Sequence, residues 1–177
     1  FNQDISGWDF DELLNTAGMF ASALAFNQDI SGWDMSKVTE MDLMFEAAQA
    51  FNQDIAGWDT SSATQMNEIF KDAILFDQDL STWDTSSVAA GGLISAFDGA
   101  TAFRLNCANV DLVLCNWAVT STTGLTKPQE LHLEVVETAC TALPACISHP
   151  CDQASDGCPS GTTCTKTTNA DTATVTG

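Results

Sequence analysis

Phe26-Asn27-Gln28-Asp29-Ile30-Ser31-Gly32-Trp33-Asp34 is a nine-residue stretch that returns in near-copy at Phe1, Phe51 and Phe76. The interval is 25 residues each time. A unit this short cannot bury an apolar face alone, so the copies must stack and share one elongated core. The sequence is therefore that of a repeat protein, and its function is to be sought on its surfaces and ends.

Working outward from that stretch, the columns separate into apolar and polar sets. Phe1, Phe26, Phe51 and Phe76 form one column, Trp8, Trp33, Trp58 and Trp83 a second, and Ile5, Ile30, Ile55 and Leu80 a third. Phe20, Phe45 and Phe70 close each unit, with Met19, Met44 and Ile69 beside them. Equivalent side chains on neighbouring coils must pack on one another, so these columns are expected to be core ladders. For the tryptophans an exposed sugar-binding platform is the alternative reading. A fifth, degraded copy follows, with Phe97 and Phe103 keeping the six-residue interval of Phe20 and Phe26. Two extra residues fall around Ala89-Ala90-Gly91-Gly92, and Trp117 lies 14 residues after Phe103 where seven is the rule.

Local patterning predicts one short strand and one short helix per copy. Phe-Asn-Gln-Asp-Ile alternates in period two, as a strand requires, and Ser-Gly supplies a turn. Val38, Met41, Met44 and Phe45 follow helical spacing, with Asp34 or Ser36 as the N-cap. The expected fold is an α/β repeat solenoid of short parallel strands plus short helices, with a disulfide-rich C-terminal extension. The array is expected over 1–117, a linker or capping segment over 118–139, and a cysteine-rich extension over 140–177. Leu131 to Val135 alternates as a strand would, whereas Leu131, Val135 and Ala139 fit a helix.

Charge and cysteines bound the partners and the compartment. The net charge of −19, from 24 acidic against five basic residues, opposes binding to nucleic acid or to anionic membranes. No apolar run reaches the 18 or more residues of a membrane span. Phe1 already lies inside a repeat and no initiator Met precedes it, which suggests a fragment or a processed chain. Seven cysteines, Cys107, Cys115, Cys140, Cys146, Cys151, Cys158 and Cys164, all follow residue 106. Segments too poor in apolar residues to form a core are usually stapled by disulfides in an oxidising compartment, so an extracellular or cell-surface location is expected. Cys107 and Cys115 are candidates to close a loop within the terminal copy. The remaining five leave one thiol free, joined to another chain, or paired beyond Gly177. Zinc is the alternative, but the spacings lack a Cys-x-x-Cys framework. No Asn-x-Ser/Thr acceptor is present, while the Ser/Thr-rich stretches are candidates for O-linked sugar.

The units Phe-Asn-Gln-Asp-Ile-Ser-Gly-Trp-Asp-Met-Ser-Lys-Val-Thr-Glu-Met-Asp-Leu-Met-Phe resemble the BspA-like surface-protein repeats of bacteria and microalgae, related to leucine-rich repeats. The resemblance covers 1–103. It implies a right-handed leucine-rich-repeat-like solenoid with extracellular surface, adhesion or structural roles. Cys146 to Cys151 and Cys158 to Cys164 loosely resemble pieces of epidermal-growth-factor-like modules.

Polar columns are the remaining candidates for a site. Carboxylates at Asp4, Asp29, Asp54 and Asp79, projecting from adjacent strands, repel by roughly 1 kcal/mol per neighbouring pair in water. Backbone donors in the turn or Ca²⁺ bridging successive coils would compensate. Asp9, Asp34, Asp59 and Asp84 read as turn or cap residues, with cation binding as the alternative. Gln3, Gln28, Gln53 and Gln78 are expected to form an internal amide ladder. His132 and His149, the only histidines, have no nucleophile at a suitable spacing, so no catalytic residue is expected. Two functions follow: a non-catalytic module of an extracellular assembly or filament, such as a flagellar hair, or an adhesin gripping a protein or glycan. A secreted enzyme is the distant alternative. Self-association or neighbouring repeats are expected at the first coil, which would otherwise expose its ladders.

Overall fold

The computed structural model describes residues 1–5, 8, 12–117 and 131. Backbone hydrogen bonds tie each copy to the next in parallel. Asn15 pairs with Glu40 and Glu40 with Gln65. The N–H groups of Met41, Leu43, Phe45 and Ala47 donate to the carbonyls of Gln65, Asn67, Ile69 and Lys71 at 2.7 to 2.9 Å. Thr16, Gly18, Phe20 and Ser22 reach copy two in the same way, through the carbonyls of Glu40, Asp42, Met44 and Glu46.

That pattern overrides the helix expected over Val38 to Phe45. The N–H groups that an α-helix would direct four residues back are instead spent on the neighbouring copy, and the alternate ones close turns. Met44 donates to Met41 (3.3 Å), Glu46 to Leu43 (3.0 Å) and Ala48 to Phe45 (3.0 Å). Two columns carry the left-handed backbone this ribbon needs: Gly18, Leu43, Glu68 and Ser95, then Ser22, Ala47, Asp72 and Gly99, with φ between 54° and 70°. An α-helix admits no such residue.

The strand expected over Phe-Asn-Gln-Asp-Ile is also replaced. Here side chains make the cross-copy bonds: the N–H groups of Asn27, Asn52 and Asp77 donate to Oδ1 of Asn2, Asn27 and Asn52 at 2.8 to 2.9 Å. Gln28, Gln53 and Gln78 do not form an internal amide ladder. Each Nε2 reaches back to the carbonyl of Asn2, Asn27 or Asn52, at 2.9 to 3.2 Å.

The aromatic columns stack as their spacing predicts. Successive rings lie 5.9 to 6.1 Å apart from Phe1 through Phe26, Phe51 and Phe76 to Phe103. The Phe20, Phe45, Phe70 and Phe97 rings repeat at 5.6 Å. Trp33, Trp58, Trp83 and Trp117 repeat at 5.9 to 6.5 Å. Indole N–H groups of Trp58, Trp83 and Trp117 donate to the carbonyls of Ile30, Ile55 and Leu80, which gives these three buried rings their polar partners. Phe1 and Trp8 differ from the other ladder members: they are 60% and 53% exposed, because no described copy covers their outer side.

The two extra residues sit between Ala89 and Gly92. Ala89 still donates to Thr64, whereas Met66, Glu68, Phe70 and Asp72 reach Gly92, Ile94, Ala96 and Asp98, an offset of 26 residues in place of 24. Gly92 has no room for a side chain, since a Cβ would lie 2.9 Å from the carbonyls of Ala89 and Thr64. After Gly99 the ribbon gives way to helices α1 (Thr101–Leu105) and α2 (Cys107–Asn116). Within them Arg104 N–H donates to Ala100 and Val110 N–H to Asn106, four residues back as in a helix, while Ala102 N–H reaches the Ile74 carbonyl. α2 fills the longer interval between Phe103 and Trp117, and Trp117 lands on Trp83.

Candidate functional site

The acidic columns are the first place to look for chemistry. Asp29, Asp54 and Asp79 each accept, through Oδ1, the N–H two residues onward, at 2.9 to 3.0 Å. Asp34, Asp59 and Asp84 do the same with Ser36, Ser61 and Ser86, at 2.8 to 3.0 Å. These six carboxylates are therefore turn-closing. Bonds from Ser31 to Asp29, Ser36 to Asp34, Ser61 to Asp59 and Ser86 to Asp84 hold these carboxyls below the ordinary aspartate value of 3.8. Asp34 and Asp84 push Asp59 the other way, but its hydrogen bonds with Ser61 are the larger influence.

Of the calcium candidates, Asp29, Asp54 and Asp79 thus have their charge met by backbone donors, and Asp4 lies exposed in the first copy. Among the described residues no group of three or more His, Cys, Asp or Glu is gathered to hold a metal ion. The described basic residues each face a carboxylate: Lys37 and Glu12 at 3.5 Å, Lys71 and Glu68 at 2.7 Å, and Arg104 and Asp98 at 4.0 Å.

Cys107 and Cys115 both belong to α2. Eight residues along an α-helix separate their Cα atoms by about 12 Å, well beyond the reach of a disulfide. The loop closure expected between these two cysteines is thereby corrected, because the interval is helical. Cys140, Cys146, Cys151, Cys158, Cys164 and both histidines lie outside the described residues.

Two features of the array carried little sequence signal. Asp77 stands where earlier copies have Asn2, Asn27 and Asn52, and it ends that ladder by accepting from Asn106 Nδ2 (3.0 Å) and Asn109 Nδ2 (2.7 Å). A carboxylate suits this place because both incoming groups are donors, and the contact holds α2 against copy four. The second feature is an open acceptor edge. Among the described residues, the carbonyls of Asn15, Ala17, Met19 and Ala21 receive no backbone donor, whereas their equivalents in copy two each receive one.

Residues 1–110 match the family model described as "Mycoplasma protein of unknown function, DUF285". The chain belongs to the DUF285 family. The matched span takes in all four regular copies and the first part of α2. No curated protein and no solved structure matches the chain. No helix of the described part of this DUF285 protein is long and apolar enough to cross a membrane.

Proposed function

We propose that this chain is a non-catalytic extracellular structural or interaction module, a segment of a surface assembly or filament, built as a BspA-like, leucine-rich-repeat-like solenoid. The observation that carries this reading is the edge of copy one. Phe1 and Trp8 are exposed there, and among the described residues the carbonyls of Asn15, Ala17, Met19 and Ala21 receive no backbone donor. A further copy of the same repeat, from this chain or from another molecule, supplies both complements: ring faces for the ladders and N–H groups for the carbonyls. The cysteine-rich extension supports an oxidising, cell-surface setting.

An adhesive role is the second reading, supported by exposed apolar side chains. Ile74, Leu75 and Leu105 are exposed, and Ala102 N–H donates to the Ile74 carbonyl, which brings α1 beside the first two. Sedimentation velocity and electron microscopy of purified protein test the first reading. Concentration-dependent end-to-end particles are expected, and they are expected to vanish in Trp8→Glu. Monodisperse particles at every concentration, retained on a glycan or protein array, would instead favour adhesion.

A further inference from the structure

Each copy offers one N–H from the closing Phe column to a carbonyl in the next copy. Phe20 donates to Met44, Phe45 to Ile69 and Phe70 to Ala96, each at 2.9 Å. The next member, Phe97, donates to the carbonyl of Leu131 at 3.3 Å, and Leu131 is fully buried. Leu131 therefore occupies the place that Met44, Ile69 and Ala96 occupy in their own copies. The same fifth unit already supplies Phe103 to the first Phe row and Trp117 to the Trp row.

We propose that Phe103, Trp117 and Leu131 together constitute a fifth copy, stretched by insertions, and that Leu131 is the plug closing this end of the core. The intervals make the stretching explicit. Phe to Trp takes seven residues in the regular copies and 14 here, and Trp to the Met-column position takes 11 in the first three copies and 14 here. The first insertion is occupied by α2. The fifth copy keeps the Phe, Trp and Met-column rows while its spacing departs from the repeat, which leaves Leu131 without a signal in the sequence. This inference does not depend on a surface role: at the Leu131 end, the Phe97 N–H already finds its acceptor within this chain.

Amide hydrogen exchange on the full chain tests the plug. In the wild-type protein the Phe97 amide is expected to exchange as slowly as those of Phe45 and Phe70, within about threefold. Leu131→Asp is expected to speed Phe97 by about tenfold or more while leaving Phe45 unchanged, and Leu131→Met is expected to restore protection. Should the Asp variant fail to fold, Leu131→Ala serves, with a smaller acceleration confined to Phe97 and its neighbours. An unprotected Phe97 amide in the wild type, or one that Leu131→Ala leaves unchanged, would overturn the proposal. Trp8→Glu should leave the Phe97 amide untouched, which separates this test from that of stacking at the other end.

Discussion

Substituting Ala47 by glycine separates a turn ribbon from the helix that burial spacing suggests. Inside a helix the change costs about 0.5–1 kcal/mol, because glycine gives up more conformational freedom. In the ribbon Ala47 has φ 54°, a left-handed conformation that costs an L-residue roughly 1–2 kcal/mol and glycine almost nothing. Against that gain stand about 0.4–1 kcal/mol of unfolded-chain entropy and a few tenths for the half-buried methyl. The expected result is a change between zero and about 1 kcal/mol of added stability, a Tm unchanged or raised by up to roughly 8 °C. Gly99, with φ 70°, holds the equivalent place in copy four, and a Cβ there would lie 2.1 Å from Asp72 Oδ1 and 3.2 Å from Asp72 Cα. Gly99→Ala should therefore lose about 2–4 kcal/mol, the sum of backbone strain and overpacking that a side-chain rotation only partly relieves. Urea and thermal melts of both variants provide the assay. A loss near 1 kcal/mol in Ala47→Gly, with Gly99→Ala neutral, would refute the ribbon.

The remaining predictions concern the ladders and the acidic columns. Trp58→Ala, which removes a buried ring between Trp33 and Trp83 and leaves the Ile30 carbonyl without its donor, should cost about 3–5 kcal/mol in melts; Trp8→Ala, in the same column but exposed, should cost under about 1 kcal/mol. Asn52→Ala should lose about 1 kcal/mol because Asp77 N–H and Gln78 Nε2 lose their acceptor, while Asn52→Asp, which retains it, should lose less than half as much. Asp29, Asp34, Asp59 and Asp84 are more acidic folded than unfolded, so their contribution is complete above the unfolded value of 3.8 and disappears as pH falls through the lower folded values. Melts between pH 6 and 2.5 should show a falling acid limb, flattened when all four are replaced by asparagine; an equally steep limb in that variant would contradict the assignment.

Much of the core was legible because a ladder requires the same side chain at the same place in every copy. Phe26, Trp33, Ile30 and Phe45 announce themselves by recurrence, and all four are buried. Local conformation was not legible from burial spacing. Met41, Met44, Phe45 and Ala48 are buried in a run of three-residue turns as they would be on one face of a helix. What distinguishes the two is the destination of the backbone N–H groups, and that depends on a neighbour 25 residues away. The local trace is glycine at two of the eight left-handed places in those two columns, Gly18 and Gly99. Side-chain bonding in the Phe-Asn-Gln-Asp-Ile segment was hidden for a related reason. Period-two alternation reports which residues face the core, and it is silent on whether Asn27 Oδ1 or a backbone carbonyl meets the next copy's N–H.

The chemistry of the open edge limits what can bind there. The acidic columns beside the ribbon spend carboxylate oxygens on their own turns, and the described cations are each set against a carboxylate. Among the described residues, the carbonyls of Asn15, Ala17, Met19 and Ala21 receive no backbone donor, and the rings of Phe1 and Trp8 are exposed. Carbonyls at alternate residues call for N–H donors at the same spacing, which an extended or ribbon-like backbone supplies and a phosphate or carboxylate does not. The rings add the requirement for an apolar face in register with those donors. A copy of the repeat meets both conditions at once, because Thr16, Gly18, Phe20 and Ser22 already offer that pattern of donors beside Phe20 and the Phe26 ladder to copy two.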